Sequence, residues 1–263
     1  MGVSINTSKS LGINAGSKIT PPKASGFENL RSIDLDGVNM YVNCGPLNSI
    51  LLIDKWTVSA WVNRDSGTSK MNITCIAEPT SYHGHDWQVF HTESITRLDV
   101  NVNGNNGFRN SSISLNDDQW YHIIIVCDKT ESPNANKCKV WLDGVQLTNT
   151  GGTNMQQIAD VNGDFAIGVQ IKGTNPASPV YDSPWNGLID EVAMWDRALT
   201  PTEVGTVYSG GTPGDLSTIS DLTNWWRMGD INGGSGTTIT DQGSEGANGT
   251  LINSPTYSSD VPT

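Results

Sequence analysis

Basic side chains are the scarce sign in this sequence: 15 Lys and Arg stand against 27 Asp and Glu, giving a formal net charge of −12 over 263 residues. A nucleic-acid footprint needs a basic face, so composition speaks against that partner. Long apolar runs are missing too. No stretch of 18 apolar residues exists, which argues against membrane insertion through a helix. The opening "MGVSINTSKSLGINAGSKITPPK" has no apolar h-region, so no secretory signal is expected. Its Met-Gly start alone is weak evidence for myristoylation. The four cysteines, Cys44, Cys75, Cys127 and Cys138, fit no zinc spacing, and reduced thiols are the default expectation. Long Ala/Leu/Glu/Lys stretches are absent, which disfavours a helical bundle. Neither a nucleotide-binding Gly-rich loop nor a G-x-S-x-G elbow occurs.

What is present is strand after strand. A chain of this length buries roughly 70–75% of its unfolded surface and needs neither disulfide nor metal to fold. From about residue 31 come "SIDLDG", "MYVNCG", "WTVSAWVNR", "NITCIAE", "DWQVFHT", "TRLDVNVNG", "FRNSSISL", "WYHIIIVCD", "CKVWLDG", "DFAIGVQI" and "GLIDEVAMW". Gly, Asn, Asp or Pro punctuates nearly every junction. In "WTVSAWVNR", Trp56, Val58, Ala60 and Val62 share one face. Asn-Gly in "NGNNG" and Asp143-Gly144 in "LDGV" predict hairpin turns. This spacing predicts an all-β fold, a two-sheet antiparallel sandwich. If the strands ending at Cys127 and opening at Cys138 form a hairpin, their sulfurs face each other. A disulfide there is an alternative to free thiols.

Thr200-Pro201-Thr202-Glu203 is a capping box and predicts one short helix over 201–208, stopped by Gly210-Gly211. Residues 1–27 contain Lys9, Lys18 and Lys23 and no acid. They read as an extended attachment arm, positive against an otherwise acidic chain, suited to a neighbouring copy. Residues 28–210 form the expected sandwich. Residues 211–263 read as a strand, a Gly-rich loop and a short strand that close the same sandwich or exchange with a neighbour.

Several landmarks occur in a recognisable order: "WTVSAWV" (56–62), Trp120-Tyr121-His122, "KVWLDGV" (139–145), Ile167-Gly168, and "GLIDEV" (187–192) followed by "RALTPTEV". Together they resemble the laminin-G-like, concanavalin A-like jelly roll across roughly residues 31–208. The segment "WWRMGD...GTTITDQGSEGANGTL" resembles the strand that normally opens such a domain, here placed at the end. Domains with "TNWWRMGD"-like segments also resemble structural proteins of tailed phages, often marine ones. That resemblance implies a non-enzymatic virion component, a capsid decoration or tail protein assembled in the host cytoplasm. Its partners would be other virion proteins and copies of itself.

The candidate chemistry is modest. Asp190 and Glu191 are adjacent on a strand, so their carboxylates diverge, whereas a retaining glycosidase needs two facing one substrate. None of the seven Glu has Asp two residues on, so the E-x-D-x-x-E motif of laminarinase-type glucanases is absent. The acids are expected to be structural and the protein not an enzyme. "SYHGHDW" (81–87) offers His83, His85 and Asp86, with His91 close by, short of a zinc set. "DVNGDF" (160–165) has calcium-loop spacing at its start but no glutamate at position twelve. Calcium at Asp86, Asp160 and Asp164 is the one cofactor the jelly-roll resemblance suggests, and none is required. Loop aromatics Tyr82, Trp87, Tyr181 and Trp185 are the candidate platforms for a host-surface glycan. Trp56, Trp61, Trp120, Trp141 and Trp195 are expected in the core. Glycan-binding adhesion is the alternative to the virion role.

Overall fold

Alternation of apolar and polar side chains resolves into two antiparallel sheets packed face to face. A computed structural model describes residues 27–47, 49, 51–66, 70–76, 85–92, 95–102, 105–113, 115–152, 154–156, 158, 163–172 and 180–263; within 85–96 and at 172 it describes backbone alone, Trp87 excepted. The strands are β1 (Ser32–Asp36), β2 (Tyr41–Pro46), β3 (Lys55–Arg64), β4 (Lys70–Ile76), β5 (His85–Thr92) and β6 (Ile95–Val102). Then follow β7 (Asn105–Ile113), β8 (Trp120–Asp128), β9 (Cys138–Leu142), β10 (Val145–Gln146), β11 (Asp164–Ile167), β12 (Gln170–Lys172), β13 (Val180–Asp182) and β14 (Asn186–Trp195). A helix, α1 (Pro201–Tyr208), precedes β15 (Leu222–Trp226), β16 (Thr238–Ile239), β17 (Gly249–Ile252) and β18 (Thr256–Ser258).

The first sheet runs β10-β9-β8-β3-β14-β1-β18, with β15 also paired to β14; the second runs β16-β17-β2-β11-β4-β5-β6-β7. A separate hairpin joins β12 to β13. This is an all-β jelly-roll sandwich. In this chain β15 pairs with β14, β17 with β2 and β18 with β1, so the C-terminal segment supplies strands to both sheets.

The inner faces carry Trp56, Val58, Ala60 and Val62 from β3, Ile123, Ile125 and Cys127 from β8, and Phe165 and Ile167 from β11. Residues of intervening parity point outward. On the first sheet Ile124, Val126, Trp141, Ala193, Trp195 and Trp225 form a second apolar layer, covered by Val204 and Val207 of α1 and by Leu216 and Ile219. Phe27, the last residue of the expected arm, packs on this layer, stacked on Trp225 with ring centroids 6.1 Å apart. Among the tryptophans expected inside, Trp120 differs: it is half-buried at the rim, its Nε1 donating to Asp260 at 2.9 Å. The Cys127 and Cys138 register is direct, with the sulfurs 3.2 Å apart and both thiols free. The Asp143-Gly144 turn has positive φ at both residues, 48° and 75°, as a two-residue hairpin requires.

The capping box is present in full: Thr200 Oγ1 accepts from Glu203 N, and the Glu203 carboxylate accepts from Thr200 N at 2.8 Å. Arg197 donates twice to the same carboxylate and, with Thr200, holds Glu203 down at about 2. The helix spans the expected 201–208, and Ser209, just ahead of Gly210-Gly211, takes the left-handed conformation that ends it, at φ 52°. Gly187 is a different constraint. Its φ is 122°, and a Cβ there would lie 2.4 Å from the Asn63 carbonyl oxygen.

Thr200→Ala should lower stability by about 1 kcal/mol in urea unfolding. Gly187→Ala, which must move backbone rather than a side chain, should cost more, ~2 kcal/mol or above. Equal midpoints for the two variants would contradict this account.

Candidate functional site

The acids of "GLIDEV" sit where β14 changes neighbours. Along one edge, β14 pairs with β1 through residues 186–189 and then with β15 through residues 192–195. Between them the register against β3 shifts from Asp190 to Ala193, and Glu191 adopts a left-handed φ of 47°. This bulge turns both carboxylates to structural work. Asp190 accepts from Glu191 N at 2.8 Å and from Asn29 Nδ2 at 2.9 Å. Glu191 accepts from Trp225 Nε1 and from Arg227 Nε. Arg227 also donates to the Glu28 carbonyl and to Asp230, while Asp230 accepts from Leu30 N at 2.9 Å. The guanidinium lies 4.3 Å from the Phe27 ring centroid and 5.2 Å from that of Trp225. The cluster thus ties the first described residues to the last strands. Burial, reinforced by the charge of Glu191, raises Asp190 well above the usual carboxylate range. Burial raises Glu191 to about 7 against the opposing pull of Arg227 and Trp225. Burial raises Asp230 as well.

One arrangement escaped the sequence reading. Ser59 Oγ lies 2.7 Å from His122 Nε2, and Ser59, His122 and Glu191 line the same small cavity. The residue types imitate a nucleophile, base and acid, but the geometry does not serve catalysis. The cavity holds about 10 Å³, room for one water and no substrate. His122 Nδ1 has no hydrogen-bond partner among the described residues, so no carboxylate orients the imidazole. Burial drops His122 to about 3, keeping it neutral.

The loop aromatics divide. Trp87 and Trp185 are 0% exposed and belong to the core between the sheets, so neither offers a face to a sugar. Trp185 does lie in the loop between β13 and β14, but it turns inward: its backbone N–H donates to Gly168 O at 2.8 Å and its indole to Asn63 O. Tyr181 is half-buried on the outer face of the second sheet, 5.6 Å from Tyr41, which burial and the neighbouring Tyr181 raise to about 12. Asp164 shares that face, its carboxylate accepting from Asn43 Nδ2 at 2.9 Å. Register sets Asp86 on the face as well, opposite Cys75 and Asn101, though its side chain lies outside the described residues. Tyr82, Asp160 and the arm residues Lys9, Lys18 and Lys23 also lie outside them. Among the described residues no three His, Cys, Asp or Glu side chains converge as a metal site.

The two outer faces therefore differ. The first sheet's is roofed by α1. The second sheet's carries a small apolar patch of Tyr41, Ala166 and Val169 beside Ile171, Tyr181 and Ile252, and otherwise polar side chains. A cleft of about 450 Å³ opens between β7 and β9–β10, lined by Asn136, Lys139, Gln146, Thr148 and Asn149. Its aromatic, Phe108, is fully buried, and the Asn149 amide is spent on Gly152 and Gly107 backbone. It lacks the ring face that the second sheet offers at Tyr181.

A family model described as the Concanavalin A-like lectin/glucanases superfamily matches residues 36–205. No curated protein matches the chain. Among solved structures, the chain is similar to a Bacteroides ovatus protein named as a candidate carbohydrate-binding protein, at 17% identity and a TM-score of 0.63, covering 90% of this chain and 62% of that one. It therefore spans less than two thirds of that relative. A heptameric SAP-like pentraxin from Limulus polyphemus is similar at 16% identity and a TM-score of 0.60, covering 88% and 96%. The CBM40 of a Ruminococcus gnavus IT-sialidase, bound to α2,3-sialyllactose, is similar at 10% identity and a TM-score of 0.51, covering 68% and 98%.

The raised carboxyl of Glu191 has a signed consequence. Its folded value of about 7 exceeds the ordinary 4.5, so the folded state holds the proton more tightly. The stability this contributes is complete below pH 4.5 and is lost as pH rises through 7. Thermal unfolding should show the melting temperature falling across that window, and Glu191→Gln should flatten the fall. An unchanged slope in the variant would count against this assignment.

Proposed function

Because the chain belongs to the Concanavalin A-like lectin/glucanases superfamily, we propose that it is a non-catalytic glycan-binding module whose ligand lies on the outer face of the second sheet. One observation carries the reading: α1 seals the first sheet's outer face, whereas the second sheet presents half-exposed Tyr181, braced by Tyr41, on the same face as the Asn43–Asp164 pair. An aromatic ring offers a face to sugar C–H groups, and amides and carboxylates match hydroxyls as both donors and acceptors. The likeness in fold to carbohydrate-binding proteins supports the same reading. The paired acids do not compete with it, because the Asp190 and Glu191 oxygens are already engaged in the buried cluster. A virion decoration role rests on the arm, whose residues 1–26 lie outside the described ones, and on the C-terminal segment, whose strands pair with β14, β2 and β1 of this same chain.

The test is a glycan array probed with the full chain, with and without calcium. Binding in the ~mM to µM range is expected, with no release of reducing sugar. Tyr181→Ala should weaken binding about tenfold while leaving the melting temperature unchanged. A flat array under both conditions, or undiminished binding by the variant, would refute the proposal as stated.

A further inference from the structure

The outer face of the second sheet gathers two guanidiniums around one carboxylate at its β6–β7 end. Arg97 and Asp99 lie on β6, and Arg109 lies opposite Asp99 on β7. Asp99 is 1% exposed. Arg109 grips it with two parallel bonds, Nε to Oδ1 at 2.9 Å and Nη2 to Oδ2 at 3.0 Å; Arg97 Nη2 reaches Oδ2 at 3.1 Å. Two guanidiniums thus share one carboxylate. Arg109 Nη2 also donates to Asn106 Oδ1, and the side-chain stem runs beside Gly151, where a Cβ would sit 3.2 Å from the Arg109 Cδ. The guanidinium is therefore fixed in direction while its side chain stays 31% exposed. Its Nη1 makes no hydrogen bond among the described residues, so two N–H donors remain for a ligand. Across the β5–β6 ladder, register places Phe90 opposite Arg97 and Gln88 opposite Asp99.

A rigid guanidinium with an open edge matches a planar or tetrahedral oxyanion. Resting on the glycan-binding reading above, we infer that the ligand is an acidic glycan, whose carboxylate or sulfate is held by Arg109 with Arg97 beside it. Asp99 acts as the positioning residue: it aims Arg109 and does not touch the ligand. Tyr41, against which Tyr181 packs, lies on β2, four inter-strand steps from β6 and five from β7, so the Arg pair and the Tyr181 region lie about 19–24 Å apart across the sheet, a span for an oligosaccharide of several units.

Calorimetric titration of the full chain with lactose, 3′-sialyllactose and 3′-sulfolactose tests this, since the three share a neutral core. The acidic pair should bind about tenfold tighter than lactose, with the preference shrinking as salt is raised; carboxylate and sulfate are told apart by which of the two binds better. Arg109→Gln should abolish the preference. Arg109→Lys, which keeps the charge but loses the fork, should reduce it. Asp99→Asn/Arg109→Gln removes the buried carboxylate along with its partner, so its loss of preference, with an unchanged melting temperature, excludes unfolding as the cause. Equal affinity for all three sugars overturns the acidic-ligand inference and leaves the glycan reading intact. No binding to any of them, together with a flat array, overturns both. A preference that survives in both Arg109 variants and the double variant overturns the role of Arg109.

Discussion

One strand serves both ends of this chain. β14 gives the first half of one edge to β1 and the second half to β15, and the bulge at Asp190–Glu191 is the border. Buried charge is poor glue in general, because desolvation consumes most of the Coulombic gain. Its value here lies in selectivity. Removing one partner of such a cluster leaves an uncompensated charge inside the protein, a penalty of roughly 3–5 kcal/mol. The cluster therefore disfavours any register in which Arg227 fails to meet Glu191, or Asn29 fails to meet Asp190. Two acids that suggest hydrolysis on paper are spent on setting where two strands stop.

That border also shapes the molecule's surfaces. With β15 locked beside β14, Trp225 joins the outer layer of the first sheet, and α1 closes over it. A face so covered has no room for a ligand. The second sheet has no comparable roof among the described residues; the β12–β13 hairpin contributes only Ile171 and Tyr181 to the Tyr41 patch. The polar side chains of β2, β11, β6 and β7 stay ordered by one another, as in the Asn43–Asp164 and Asp99–Arg109 pairs. Recognition through preorganised groups on strands costs little side-chain entropy on binding, which suits weak, reversible contact with a polysaccharide.

Local rules carried the strand pattern, the inward set of Trp56, Val58, Ala60 and Val62, the capping box at Thr200 and the facing of Cys127 and Cys138. Each depends on residues near in sequence or on period-two alternation. The failures share a cause. Trp185 follows a proline and precedes Asn-Gly, the punctuation of a loop, but long-range bonds to Gly168 and Asn63 pull it inside. Trp87 lies beside polar His85 and Asp86, which hid its inward parity on β5. Tyr41 and Tyr181 are 140 residues apart, and no window holds both. The Arg97–Asp99–Arg109 group needed the β6–β7 register, and a bulge between Thr96 and Leu98 makes that register unreadable from alternation alone.

The placement of the last strands has a further consequence for biosynthesis. β15, β17 and β18 leave the ribosome after every other strand of their sheets except β16, yet they border β14, β2 and β1. Until its own late partner is translated, each of those three strands presents unpaired backbone, the kind of edge that recruits other chains. A premature stop before Gly249 would thus remove strands from both sheets simultaneously, so the sandwich is complete only once β17 and β18 have been made.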